Sequence, residues 1–135
     1  MNGADKTTKR TMLIAAGVIF LIAVIWLIVL ESGSYTRKVC SRINAFGYAV
    51  TPSDLYSKGY GTGTSIGAIL DEDLALVKEQ SAKCGFSADT EKIGNVELLL
   101  WNMDNEKVLV IWLVDREPEL VFIENSSTGE TFPIG

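Results

Sequence analysis

The hydrophobic pattern changes character along the chain, and each change predicts a different element. Residues 12–30, MLIAAGVIFLIAVIWLIVL, run nineteen positions without a charge. At about 1.5 Å per residue such a helix rises roughly 28 Å, close to the hydrocarbon thickness of a bilayer. A buried soluble helix is seldom apolar on every face for five turns. The run therefore predicts a membrane-spanning helix after a short basic leader over residues 1–11. It is longer than the core of a cleaved secretory signal, and ESGSY after it imitates a cleavage site poorly. No cysteine follows at lipoprotein spacing, and the run lacks the glutamate of a pilin helix. An uncleaved signal anchor is the expectation, with a linker over 31–35. Lys6, Lys9 and Arg10 directly precede the span, while Arg37, Lys38 and Arg42 lie farther beyond it. This bias places the N-terminus in the cytoplasm and the domain 36–135 outside the cell.

Periodicity near 3.6 takes over next. Val39, Ile43 and Phe46, with Cys40 beside them, form one apolar stripe that ends at Gly47-Tyr48, a pairing suited to a helix C-cap. Residues 48–52 fit a short strand before Pro52, and 53–67 read as a polar loop. A second stripe runs through Leu70, Leu74, Val77, Ser81 and Cys84. It predicts a helix beginning near Ile69, with Asp71, Glu72 and Asp73 in its first turn, Lys78 and Lys83 toward its end, and Gly85-Phe86 as its stop.

The last third is built of strands. NVELLLWN, KVLVIWLV and ELVFIE are separated by the turn clusters MDNE and DREP, and TFPIG follows SSTG. Short connections favour an antiparallel meander. The expected fold is α+β: one N-terminal transmembrane helix, then two helices packed on one face of a three- to four-stranded antiparallel meander. Leu98–Trp101, Val108–Val114 and Leu120–Ile123 are apolar at every position, so the sheet needs cover on both faces. Either the first helix or residues 48–68 wrap the far side, or a partner does. In the second case Trp101, Ile111, Trp112 and Phe122 mark the interaction surface, toward a homodimer or another envelope protein.

Charge and chemistry narrow the function by exclusion. From Glu31 onward nine Lys/Arg face sixteen Asp/Glu, a balance that argues against a nucleic-acid partner. With no histidine in the chain, Ser-His and Cys-His nucleophile pairs and the common zinc-hydrolase ligand sets are excluded. Two cysteines alone make a poor metal site, and neither a catalytic residue nor a cofactor is expected. Cys40 and Cys84 are an even pair, which in an exported domain points to a disulfide. Closing that loop would contribute roughly 4 kcal/mol on the chain-entropy model. Two free thiols filling the core are the alternative. Asp71-Glu72-Asp73 lacks EF-hand spacing and reads as a helix start, and Asn125-Ser126-Ser127 matches a glycosylation pattern that is common by chance.

The stretch KGYGTGTSIGAILDED, residues 58–73, invites comparison with a phosphate-cradling loop. No Gly-Lys stands at Walker spacing, and counting from Gly61 places Ile66 where a dinucleotide fingerprint needs glycine. Gly59, Gly61, Gly63 and Gly67 are therefore read as a mobile surface loop.

NAFGYAV, LVKEQSAKCGF and the VELLLWNM run together resemble small single-pass proteins of Gram-positive bacteria whose outer domains have no known function. That resemblance implies an anchor, two glycine-terminated helices and a meander, and it brings no activity. The function expected from the whole sequence is a membrane-anchored, extracytoplasmic interaction domain without catalysis. The alternatives are a small carboxylate-based envelope hydrolase or transferase and a structural subunit of a membrane complex.

Overall fold

The strands predicted from continuous apolar runs form the centre of a larger sheet. The computed structural model describes residues 34–70 and 73–135. By internal contacts the chain divides into Met1–Ser34 and Tyr35–Gly135, and the second unit is the subject below. Its first helix, α1, is described over residues 34–44. A 3-10 turn at Pro52–Asp54 leads into β1 (Tyr56–Thr64), followed by the short α2 (Ile66–Ile69) and α3 (Leu74–Lys83). Then come β2 (Gly94–Asn102), β3 (Lys107–Val114), β4 (Glu117–Asn125) and the two-residue β5 (Thr131–Phe132). The strands lie side by side in chain order, every neighbour antiparallel.

Three features differ from the expectation. The sheet has five strands, because residues read as a polar loop form β1. Their sequence YSKGYGTGT carries no buried apolar face, since the strand lies at the sheet edge and most of it is exposed. The short strand expected over 48–52 is absent; Val50 is instead tied down through its N–H and carbonyl by the Asn44 amide, at 2.8 and 2.9 Å. Second, the helices do not share one face; of the covers considered for the far side, the first helix is the one that supplies it. Val39, Cys40 and Ile43 of α1 pack with Val50, Phe86 and Ile134 on Leu99, Leu109, Ile111, Leu113, Val121 and Ile123. Ile66 of α2 and Val77 of α3 pack on the opposite side chains, including Val96, Val110, Trp112, Leu120 and Phe122. Successive strand side chains point to opposite faces, so β2 to β4 are apolar throughout because each face has its own helical cover.

Third, the membrane-spanning helix predicted over residues 12–30 lies outside the described residues. Among the described residues no helix is long and apolar enough to cross a membrane. The longest with both ends described, α3, has ten residues and rises about 15 Å against a hydrocarbon core of about 30 Å. The fold is accordingly corrected to an α+β domain of five strands and three helices. The single-pass, extracytoplasmic placement is withdrawn, and the bilayer contact expected over residues 12–30 lies outside the described residues.

Local chemistry fixes the helix ends. α3 starts later than its apolar stripe predicts, because α2 occupies 66–69 and Asp73 is the N-cap, accepting from Leu76 N–H at 3.3 Å. At its other end Gly85 N–H bonds Ala82 O (3.0 Å) and Phe86 N–H bonds Ser81 O (3.2 Å), the double bond of a Schellman cap. Phe86 thereby enters the α1 core, where the Arg42 guanidinium lies 4.4 Å from its ring centroid. β3 and β4 are joined by the two-residue turn Asp115-Arg116, both at positive φ, the twist that tight hairpins require.

Candidate functional site

The two edges of the sheet are finished differently. In an antiparallel ladder the peptide groups of successive residues face alternate sides. On β4 the outward residues from Glu119 on are Glu119, Val121, Ile123 and Asn125, and each has a partner. Glu119 O accepts from Ala88 N–H at 2.9 Å, and Asn125 N–H donates to Glu130 O at 2.8 Å. Ile123 pairs with Phe132 of β5. Val121 N–H donates to Ser81 Oγ at 3.0 Å, and that hydroxyl lies 3.2 Å from Val121 O and 2.7 Å from Val77 O. A serine on α3 thus takes the place of the strand that β5 is too short to supply. Below it the buried Glu119 carboxylate accepts from Ser87 Oγ and from Asp89 N–H (3.2 Å), with Lys92 Nζ at 3.7 Å.

On the other edge the outward residues of β1 can be read from two bonds on β2. Met103 N–H bonds Lys107 O (2.8 Å) and Asp115 N–H bonds Asn95 O (2.9 Å), so odd positions of β2 face β3 and even ones face β1. Leu100, Leu98 and Val96 pair with Tyr56, Lys58 and Gly61. Ser57 and Gly59 consequently turn their peptide groups outward, and among the described residues these groups have no hydrogen-bond partner. Register shifts follow between Gly59 and Gly61 and between Gly61 and Thr64.

Side chains hold this edge from both faces. On the α1 face Glu97 accepts from Ser57 Oγ (2.8 Å) and lies 2.8 and 2.9 Å from Tyr35 OH. Burial, followed by the hydrogen bond and charge of Glu97, pushes the Tyr35 phenol up to about 12; the Arg116 guanidinium, 5.2 Å from its ring centroid, opposes the shift. On the other face Lys58 Nζ stands 4.9 Å from the Tyr60 centroid. Tyr60 in turn packs on Trp112, centroids 5.3 Å apart. Where β1 begins, Asp54, Leu55, Tyr56, Trp101 and Asn102 help line a hollow of about 310 Å³. Trp101 and Asn102 also line a second, of about 440 Å³, beside Met103 and Lys107.

The residues singled out from sequence are dispersed by this arrangement. Ile111, Trp112 and Phe122 are core residues at 0, 4 and 0% exposure, and Ile111 lies on the face opposite to the other two. They form no common surface. Trp101 is half-buried, edge-on to Tyr48 at 6.2 Å, and lines both hollows beside β1. Gly59, Gly61 and Gly63 belong to β1 and Gly67 to α2, so the expected loop is ordered structure. Gly61 and Gly63 take φ of +89° and +75° at the register shifts, which side chains resist. Cys40 and Cys84 are free thiols in the α1 core, and the expected disulfide is not formed; burial pushes the Cys40 thiol up. Among the described residues no group of three or more His, Cys, Asp or Glu is placed to hold a metal ion. What the sequence reading missed is β1 itself. Its signal was the alternation Tyr56, Lys58, Tyr60 with small residues between.

Comparison with family models, curated proteins and solved structures returns no match to this chain. The functional reading therefore rests on geometry.

Proposed function

We propose that this domain is a non-enzymatic interaction module that accepts an extended segment of a partner along β1. The carrying observation is the pair of outward peptide groups at Ser57 and Gly59, unpartnered among the described residues on one edge of a sheet whose other edge is bonded at Glu119, Val121, Ile123 and Asn125. Main-chain bonds supply affinity in strand addition, and neighbouring pockets supply selectivity. The hollow at Leu55, Tyr56 and Trp101 lies beside the strand and offers an aromatic wall to a side chain of the added segment.

Peptides selected from a random library on the full-length chain test this reading. Binders are expected to slow amide exchange at Ser57 and Gly59 and to lose affinity for Gly59→Pro. That variant removes the outward N–H and leaves the β1–β2 bonds in place. Binders that protect other amides, or that bind Gly59→Pro equally well, would overturn it.

A further inference from the structure

An open edge strand can pair with any extended chain, a second copy of itself included. The register of β1 discriminates between these. In antiparallel self-pairing, the alignment that uses both outward residues of each copy sets Ser57 opposite Gly59 of the second copy. Lys58 then stands directly opposite Lys58 of the second copy, in the close, non-hydrogen-bonded type of pair. Like charges in that position are destabilising. Moving the two-fold axis to Ser57 puts Gly59 opposite Leu55, whose N–H is already bonded to Pro52 O at 3.3 Å. Moving it to Gly59 puts Ser57 opposite Gly61, whose peptide group faces β2. Each alternative loses bonded pairs.

Lys58 has no carboxylate within the described fold. Its neighbour across the ladder is Leu98, and its ammonium rests over the Tyr60 ring. Beside Gly59 the α1 face of the sheet is open, with nothing within 4 Å of where a Cβ would stand. Building on the strand-addition reading, we propose that β1 takes an antiparallel segment of another protein carrying a single carboxylate opposite Lys58. A bulky residue precedes that carboxylate, opposite Gly59. The same lysine keeps copies of this chain apart at β1. A long acidic run is disfavoured as the ligand because residues 31–135 already carry nine Lys/Arg against sixteen Asp/Glu.

A charge swap tests this with the protein as its own probe. Lys58→Glu presents the required carboxylate on an otherwise identical strand. Full-length chains carrying two different tags and a photoreactive residue at the exposed position 56 are cross-linked alone and mixed. The mixture of the original and Lys58→Glu chains is expected to cross-link roughly five- to tenfold more than either alone. Added salt should shrink the gain, and Gly59→Pro in both chains should abolish it. Equal, Gly59→Pro-sensitive cross-linking in all samples would overturn the role of Lys58 while leaving strand addition standing. No Gly59→Pro-sensitive cross-link in any sample would overturn both.

Discussion

The β4 edge and the β1 edge solve the same problem in opposite ways. Along β4 the outward residues from Glu119 to Asn125 each meet a bond from a different element: α3 through Ser81, the segment after it through Ala88, then β5 and its turn. Along β1 the corresponding groups of Ser57 and Gly59 face outward, and the strand instead carries a lysine and two register shifts. Charged side chains and bulges are recognised ways of blunting an edge. The difference teaches that β4 is closed to all comers, whereas β1 is closed selectively, against some partners by charge and length.

The contrast can be broken most strongly at the closed edge. Glu119→Ala removes the acceptor for Ser87, Asp89 and Lys92 and should cost about 3 kcal/mol. Ser81→Ala orphans the buried Val121 N–H and should cost about 1–3 kcal/mol. Denaturant melts measure both, and amide exchange at Val121 should quicken in the second. Next in size, Gly61→Ala forces a side chain into the left-handed region and should lose about 1–2 kcal/mol. If it loses nothing, the bulge does not depend on glycine.

Alkaline pH sharpens the comparison from another side, because Tyr35 helps hold Glu97 against Ser57. The folded state raises the Tyr35 phenol to about 12, above the value near 10 of an unfolded tyrosine. Its contribution is therefore full below about pH 10 and is lost as pH climbs toward 12. Tyr35→Phe should flatten that part of the stability profile. The smallest effect belongs to the open edge: Gly59→Pro should change stability by about 1 kcal/mol or less, since its N–H has no partner to lose. A large loss would mean that the edge is closed after all.

Legibility from sequence followed burial. KVLVIWLV coincides with β3 at both ends, NVELLLWN starts one residue inside β2 and ELVFIE two residues inside β4, because a strand buried on both faces is a continuous apolar run. The same runs misled the site prediction: Ile111 and Phe122 look like surplus surface until α1 is placed on one face and α2 and α3 on the other. β1 looks like a loop in sequence because its constraints come from register and backbone angle, which Ser57, Gly59 and Gly61 satisfy without apolar residues. Ser81 was legible only as a stripe position, since its hydroxyl acquires a purpose when Val121 comes within 3.0 Å.

The register shifts at Gly61 and Gly63 also set a clock. They end the regular outer edge after Gly59, so an added strand has two bonded pairs, or four main-chain hydrogen bonds, to hold. At about 0.5–1.5 kcal/mol each these contribute about 2–6 kcal/mol, and set against the cost of association they support affinity no tighter than millimolar, a binding free energy of about 4 kcal/mol. Such a contact forms and dissolves within milliseconds. It serves a partner already held nearby, where high local concentration takes over what residence time does not provide.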